Sequence, residues 1–121
     1  VKKGFTVNII TPYNLEPVHW NAWSGGESQR LRLAGALGMS DLITAKCKQQ
    51  PTFEVFDEPS SYLSEAGITS LLSILKDRAR QLNKQIFLID HRKLDSVAFD
   101  GTISVIKNHD GIDIESSWAV C

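Results

Sequence analysis

The sequence predicts an α/β fold with parallel core strands, covering helices and a C-terminal β-hairpin. Three observations carry this expectation. Thr52-Phe53-Glu54-Val55-Phe56-Asp57 is a β-rich run. Ile68, Leu71, Leu72, Leu75, Ala79 and Leu82 recur at the spacing that lines one face of a helix. Gln85-Ile86-Phe87-Leu88-Ile89 is largely apolar, as in strands covered on both faces. Strand, helix and strand in that order make a βαβ unit, which is parallel and right-handed by default.

The first element expected is a strand at Phe5-Thr6-Val7-Asn8-Ile9-Ile10, which is β-rich and alternates. Thr11 to Ala22 holds Pro12 and Pro17 and reads as a loop or irregular strand. It contains Trp20, read as a packing residue, and His19, a weak ligand candidate. Ser24-Gly25-Gly26-Glu27 follows, with the serine and glutamate at capping-box spacing. A helix is therefore expected from here to about Lys48, with Leu31, Ala34, Gly35, Gly38 and Leu42 at helical spacing and Leu33 and Leu37 beside them. Two glycines at a helix start leave backbone N–H groups unobstructed at the positive end of the dipole, a seat for an anion. A well-capped helix with no ligand is the alternative reading of the same residues.

The carboxylate strand ends in Asp57-Glu58-Pro59. Asp and Glu are poor strand residues, so both belong at its carboxyl end, where open α/β sheets place ligands. Adjacent carboxylates repel, and a bound cation is one reason to pair them. A strand running into an acidic turn is the other. Ser60 to Ser64 is a turn-rich link into the amphipathic helix, whose polar side carries Lys76, Asp77, Arg78 and Arg80, read as a solvated face. Asp90-His91-Arg92 closes the apolar strand, and in a parallel pair His91 comes to the same sheet edge as Asp57 and Glu58. Lys93 to Phe99 reads as a short helix. Thr102 to Ile106 and Ile112 to Glu115 flank Asn108-His109-Asp110-Gly111 and read as a hairpin, with His109 a turn residue.

Composition sets the bounds. The chain of 121 residues makes one compact unit at most. A net charge of −1 gives no global pull toward nucleic acid or anionic membrane, so any DNA contact needs a local patch or other parts of the protein. No apolar run approaches the roughly 18 residues that span a bilayer, and Lys2 and Lys3 lead into a strand-like run and not a signal-peptide core. Cys47 and Cys121 are too few for a disulfide framework or a metal site and read as reduced cysteines of an intracellular protein. There are no internal repeats and no low-complexity tracts.

With these residues in view, the chain resembles the C-terminal lobe of an ABC-type ATPase head, the second half of a P-loop ATPase fold. Ser24-Gly25-Gly26-Glu27 resembles the ABC signature, and Phe53 to Glu58 a Walker B strand followed by the catalytic glutamate. Ser60 to Ser64 stands at the D-loop position and His91 at the switch-histidine position. The four elements keep the family's order across residues 23–92. Glu27 after the double glycine, and Leu37-Gly38-Met39-Ser40-Asp41-Leu42-Ile43, resemble the SMC-like branch and within it the ATPase subunit of SbcCD-type DNA repair nucleases. Trp23 replaces the usual leucine, and Ser64 stands where an aspartate often ends the D-loop.

The resemblance implies an ATPase that uses ATP and Mg²⁺. It implies Asp57 as the Mg²⁺ residue, through water, and Glu58 and His91 as the catalytic base and γ-phosphate sensor. It also implies Ser24, Gly25, Gly26, Glu27 and Ser61 as nucleotide contacts, the signature reaching ATP held by a second head. No Walker A pattern, G-x-x-x-x-G-K-[ST], occurs in the chain. Residues 1–121 are therefore expected to be the C-terminal lobe of a longer head, with the Walker A lobe and a coiled coil elsewhere. The partners implied are that N-terminal lobe, a second identical head, a nuclease subunit and DNA through the full complex, with no membrane. The location implied is cytoplasmic and nucleoid-associated, or nuclear in a eukaryote. A transporter nucleotide-binding domain and a non-catalytic dimerisation module are the alternatives. The lobe alone is expected not to hydrolyse ATP.

Overall fold

The computed structural model describes residues 7–19, 22–48 and 51–118. Its centre is the expected βαβ unit. Strand β3 (Phe53–Asp57) and strand β4 (Gln85–Ile89) pair in parallel, Phe53 opposite Gln85 and Asp57 opposite Ile89. Helix α2 (Glu65–Leu82) joins them. Its start is fixed by Ser64, whose Oγ accepts the Gly67 N–H at 3.2 Å. Its end is a Schellman closure: Asn83 is left-handed and donates to Arg80 O, while Lys84 N–H reaches Ala79 O.

The core is small. Leu63, Leu71 and Leu75 are buried, and Leu33, Phe56, Ile68, Ile86 and Leu88 pack around them. Strand alternation explains which side is covered. Phe56, Ile86 and Leu88 face this core. Phe53, Val55, Phe87 and Ile89 lie on the opposite face, each about half exposed. The strands were expected to be covered on both faces; the described residues cover one.

Helix α1 (Gly25–Cys47) begins directly after Ser24, as expected, and ends at left-handed Lys48. None of its residues is buried, so the expected stripe of Leu31, Ala34, Gly35, Gly38 and Leu42 forms no enclosed face among the described residues. Leu33, expected beside that stripe, makes the contact with the core.

The remaining expectations need adjustment at their edges. Strand β1 (Asn8–Thr11) is shifted from the expected run, of which Phe5 and Thr6 lie outside the described residues, as do Trp20 and Cys121. The segment read as a loop or irregular strand contains strand β2 (Asn14–His19), antiparallel to β1 with a register shift between Ile9 and Thr11. Pro17 is tolerated there because a two-stranded ribbon has unpaired outer edges. Lys93 to Phe99 is not a helix: only a 3₁₀ turn (Ser96–Ala98) forms, capped by Asp95 accepting Val97 N–H, and Phe99 is already extended. The hairpin is longer than expected, β5 (Gly101–Asn108) against β6 (Gly111–Trp118), turning at His109 and Asp110. The Trp118 ring lies over Gly101, where any Cβ would force that ring to move. No helix among the described residues is long and apolar enough to cross a membrane.

Candidate functional site

The parallel register brings the ends of β3 and β4 to one edge. Asp57 is the last residue of β3, and Glu58 N–H extends the ladder by one bond, to Ile89 O at 2.8 Å. His91 follows β4 by two residues, and its Nδ1 lies 3.4 Å from Glu58 Oε1. Residues 33 positions apart in sequence (58 and 91) therefore meet, as the topology required. Both side chains are more than half exposed.

Glu58 has φ +46, a left-handed conformation that a residue with a Cβ avoids. Such backbone persists only when the surroundings impose it, and it clusters at functional sites. Buried Pro59 follows, and the chain then makes two tight turns: Ser61 N–H reaches Glu58 O at 3.2 Å, and Leu63 N–H reaches Ser60 O at 3.0 Å. Tyr62, between them, is also left-handed at φ +62. Ser60 is buried and Ser61 half-buried.

Two residues beside His91 hold this loop. Asp90 accepts Ser60 N–H at 3.4 Å and Arg92 N–H at 2.9 Å. Partial burial pushes the Asp90 carboxyl up, but its contacts with Ser60 and the Arg92 N–H outweigh this and hold it below the usual carboxylate range. Arg92 Nη1 donates to Ser60 O and Leu63 O, each at 3.2 Å. Neither residue was singled out from the sequence. Arg92 satisfies turn carbonyls that periodicity does not reveal.

The start of α1 packs on the same loop. Gln29 Nε2 donates to Pro59 O at 3.4 Å. A Cβ on Gly26 would sit 3.0 Å from Tyr62 O, so this glycine is needed for close packing whatever else it does. Ser24 is the N-cap residue by position, but its side chain caps nothing. Its Oγ donates to Glu27 Oε2 at 2.6 Å, so the expected capping box does not form. The two side chains that would satisfy backbone N–H groups satisfy one another, and among the described residues no side-chain hydrogen bond caps the helix's first N–H groups.

A second polar cluster lies lower in the lobe. Arg78, read from the sequence as part of a solvated face, is only 10% exposed and makes a two-pronged pair with Glu54 at 2.7 and 2.9 Å. Its Nη2 also reaches Asp41 of α1 at 2.7 Å, and Lys84 Nζ reaches Glu54 Oε1 at 2.9 Å. The Arg78 hydrogen bonds, reinforced by Lys84, hold the Glu54 carboxyl at about 2, while Arg78 lowers that of Asp41. A glutamate alternating with Phe56 on the inward face of a strand was the signal, since a charge placed there must be paired. Among the described residues no group of three or more His, Cys, Asp or Glu side chains is arranged to hold a metal, and Cys47 is a free, exposed thiol.

Comparison with known proteins agrees on the fold. No family model matches the chain. Over 74 residues it is 39% identical to a putative ABC transporter ATP-binding protein of Methanosarcina acetivorans, covering 61% of this chain and 10% of that protein. It is 33% identical over 97 residues to the methionine import ATP-binding protein MetN of Thermobifida fusca, covering 75% of this chain and 27% of that one. The chain thus spans between a tenth and about a quarter of these relatives. A solved structure from work on ATP-driven dimerization and DNA-stimulated activation of SMC ATPases superposes with a TM-score of 0.70 at 19% identity, covering 86% of this chain and 60% of that chain. An Smc head bound to the C-winged helix domain of ScpA gives 0.67 at 20% identity, covering 88% and 30%. The fold is that of an SMC/ABC-type ATPase head, with its parallel sheet and C-terminal antiparallel hairpin.

Proposed function

We propose that this chain is the C-terminal lobe of an ATP-hydrolysing head that closes on a second head when ATP binds. The observation that carries the reading is the sheet edge where Asp57, Glu58 and His91 converge, with Glu58 Oε1 3.4 Å from His91 Nδ1. Likeness in sequence to ABC-type ATP-binding proteins, and in fold to SMC ATPase heads, supports it.

In this reading Glu58 accepts a proton from the attacking water. Exposure of its carboxylate leaves room for that water, and His91 beside it is placed to donate to a γ-phosphate oxygen. Mg²⁺ neutralises phosphate charge when bound. The residues present fit it: Asp57 is exposed, and no hydrogen bond or ion pair among the described residues engages its carboxylate. One free carboxylate suits an ion otherwise held by water and phosphate. Ser24 and the backbone N–H groups at Gly25, Gly26 and Glu27 face the phosphate of ATP on the opposite head, and Ser61 lies in the loop between. The phosphate-binding loop comes from a Walker A lobe elsewhere in the protein.

We place the parent in the SMC-like branch, with a nuclease subunit and DNA as partners and a cytoplasmic, nucleoid-associated location, on the residues around the signature. Likeness to the MetN import protein favours a transporter ATPase as the second reading. A heptad pattern upstream of Val1 in the parent reading frame supports the first, and adjoining membrane-spanning subunits support the second. The central test is Glu58→Gln in the full-length parent, which should bind ATP, lose steady-state turnover and accumulate closed dimers by light scattering. Unchanged hydrolysis overturns the reading.

A further inference from the structure

We infer that Arg92 is a positioning residue for Glu58, tying the strained carboxylate loop to His91. The inference rests on the reading of Glu58 as the base. Glu58 occupies a left-handed conformation, and so does Tyr62 four residues on. Left alone, both would relax toward ordinary backbone angles, and relaxation at Glu58 would swing its carboxylate away from the sheet edge.

The ladder bond from Glu58 N–H to Ile89 O anchors only the start of the segment. Beyond it, Leu63 packs in the core, and among the described residues three side chains hydrogen-bond to the loop's backbone. Gln29 reaches Pro59 O at 3.4 Å, a long bond, and Asp90 reaches Ser60 N–H at the same distance. Arg92 makes the two shorter ones, to Ser60 O and Leu63 O, the acceptors on either side of left-handed Tyr62. One guanidinium thus bridges Ser60 O, which accepts the bond that closes the second turn, and Leu63 O at that turn's far end, and a charged donor with several N–H groups suits that task. Asp90 in turn accepts Arg92 N–H at 2.9 Å, which sets the direction of the backbone from which the guanidinium reaches.

His91 lies between these two anchoring residues. Movement of the histidine is therefore carried to the 58–63 loop, and a displaced loop moves Glu58 relative to His91. Arg92 touches neither nucleotide nor water in this scheme and acts through Glu58.

The test compares Arg92→Met, Arg92→Lys, Glu58→Gln and the double variant Glu58→Gln/Arg92→Met in the full-length parent, with turnover, ATP affinity and thermal unfolding measured on each. Met keeps the aliphatic body and removes the donors. Arg92→Met should lower kcat about tenfold or more, as small misplacements of catalytic groups do, with ATP affinity within about twofold because nucleotide is held by the Walker A lobe. Arg92→Lys should recover part of the loss, and Arg92→Met should cost nothing further in the Glu58→Gln background. A dead Glu58→Gln beside an unimpaired Arg92→Met overturns the inference alone. So does an Arg92→Met that loses kcat, ATP affinity and melting temperature together with no recovery by lysine. Full turnover in Glu58→Gln overturns the functional reading and this inference with it.

Discussion

Ser24 and Ser64 occupy the same position before their helices yet do different work, and the difference is measurable. Ser64 accepts Gly67 N–H and caps α2. Ser24 gives its hydroxyl to Glu27 and caps nothing. Ser64→Ala in the parent head should therefore cost about 1 kcal/mol, as loss of a true cap does, and Ser24→Ala under about 0.5 kcal/mol. Urea unfolding of the two variants decides this, and equal costs would return Ser24 to a capping role. The functional expectation is the reverse. Ser24→Asp sets a second carboxylate beside Glu27 and, in the proposed dimer, a negative charge against a phosphate in a partly desolvated interface. ATP-driven dimerisation should be lost while each head still binds ATP, by light scattering and equilibrium binding. Normal dimerisation would mean that the start of α1 does not meet nucleotide. Gly26 cannot make this distinction, since any side chain there meets Tyr62 O.

At the scale of elements, Glu54 joins β3 to α1 and α2 through Arg78, with Lys84 closing the cluster. Its folded-state carboxyl sits at about 2 against an ordinary 4.5. A depressed folded value contributes stability that is full above 4.5 and is lost as pH falls toward 2. At 1.36 kcal/mol per unit this amounts to about 3 kcal/mol. Glu54→Gln should flatten the acid limb of stability against pH between about 4.5 and 2, in unfolding titrations over that window; an unchanged slope would assign acid sensitivity to other carboxylates. The cluster also marks what could be read in advance. The βαβ unit was legible because β3, α2 and β4 each carry their own period, and the parallel register that unites Asp57, Glu58 and His91 follows from topology. Arg78 was hidden because a lysine- and arginine-rich helix side looks solvated until the strand beneath it is known to carry Glu54. Strand β2 was obscured by Pro12 and Pro17, and the one-turn segment at Ser96–Ala98 looked longer because Leu94, Val97 and Ala98 stand at helical spacing over too few residues to sustain a helix. The Ser24–Glu27 spacing was real, but spacing does not say whether two polar side chains bond to the backbone or to each other.

At the scale of the whole molecule, the described residues leave much apolar surface uncovered. Phe53, Val55, Phe87 and Ile89 make one exposed face of the parallel pair, with Phe53 and Phe87 meeting edge to face at 6.4 Å. Ile103, Val105, Ile112, Ile114 and Trp118 share one side of the hairpin and are also exposed. Contiguous apolar faces of this kind mark surfaces made to be covered, and strands apolar on both sides belong in the middle of layered sheets. In the proposed architecture the N-terminal Walker A lobe supplies the cover, and it also supplies the phosphate loop that the chain lacks. The two roles predict one outcome. The 121-residue chain alone should show no ATP turnover attributable to Glu58. Co-expression with the N-terminal lobe should restore turnover and shield the apolar face. Val55→Lys with Phe87→Lys should leave the core side of the sheet unaffected, because Phe56, Ile86 and Leu88 point the other way. It should nevertheless abolish co-purification of the two lobes and, with it, hydrolysis. Turnover by the isolated chain that Glu58→Gln removes would show that a second lobe is not needed. Full co-purification of the doubly substituted lobe would place the N-terminal lobe on a different surface.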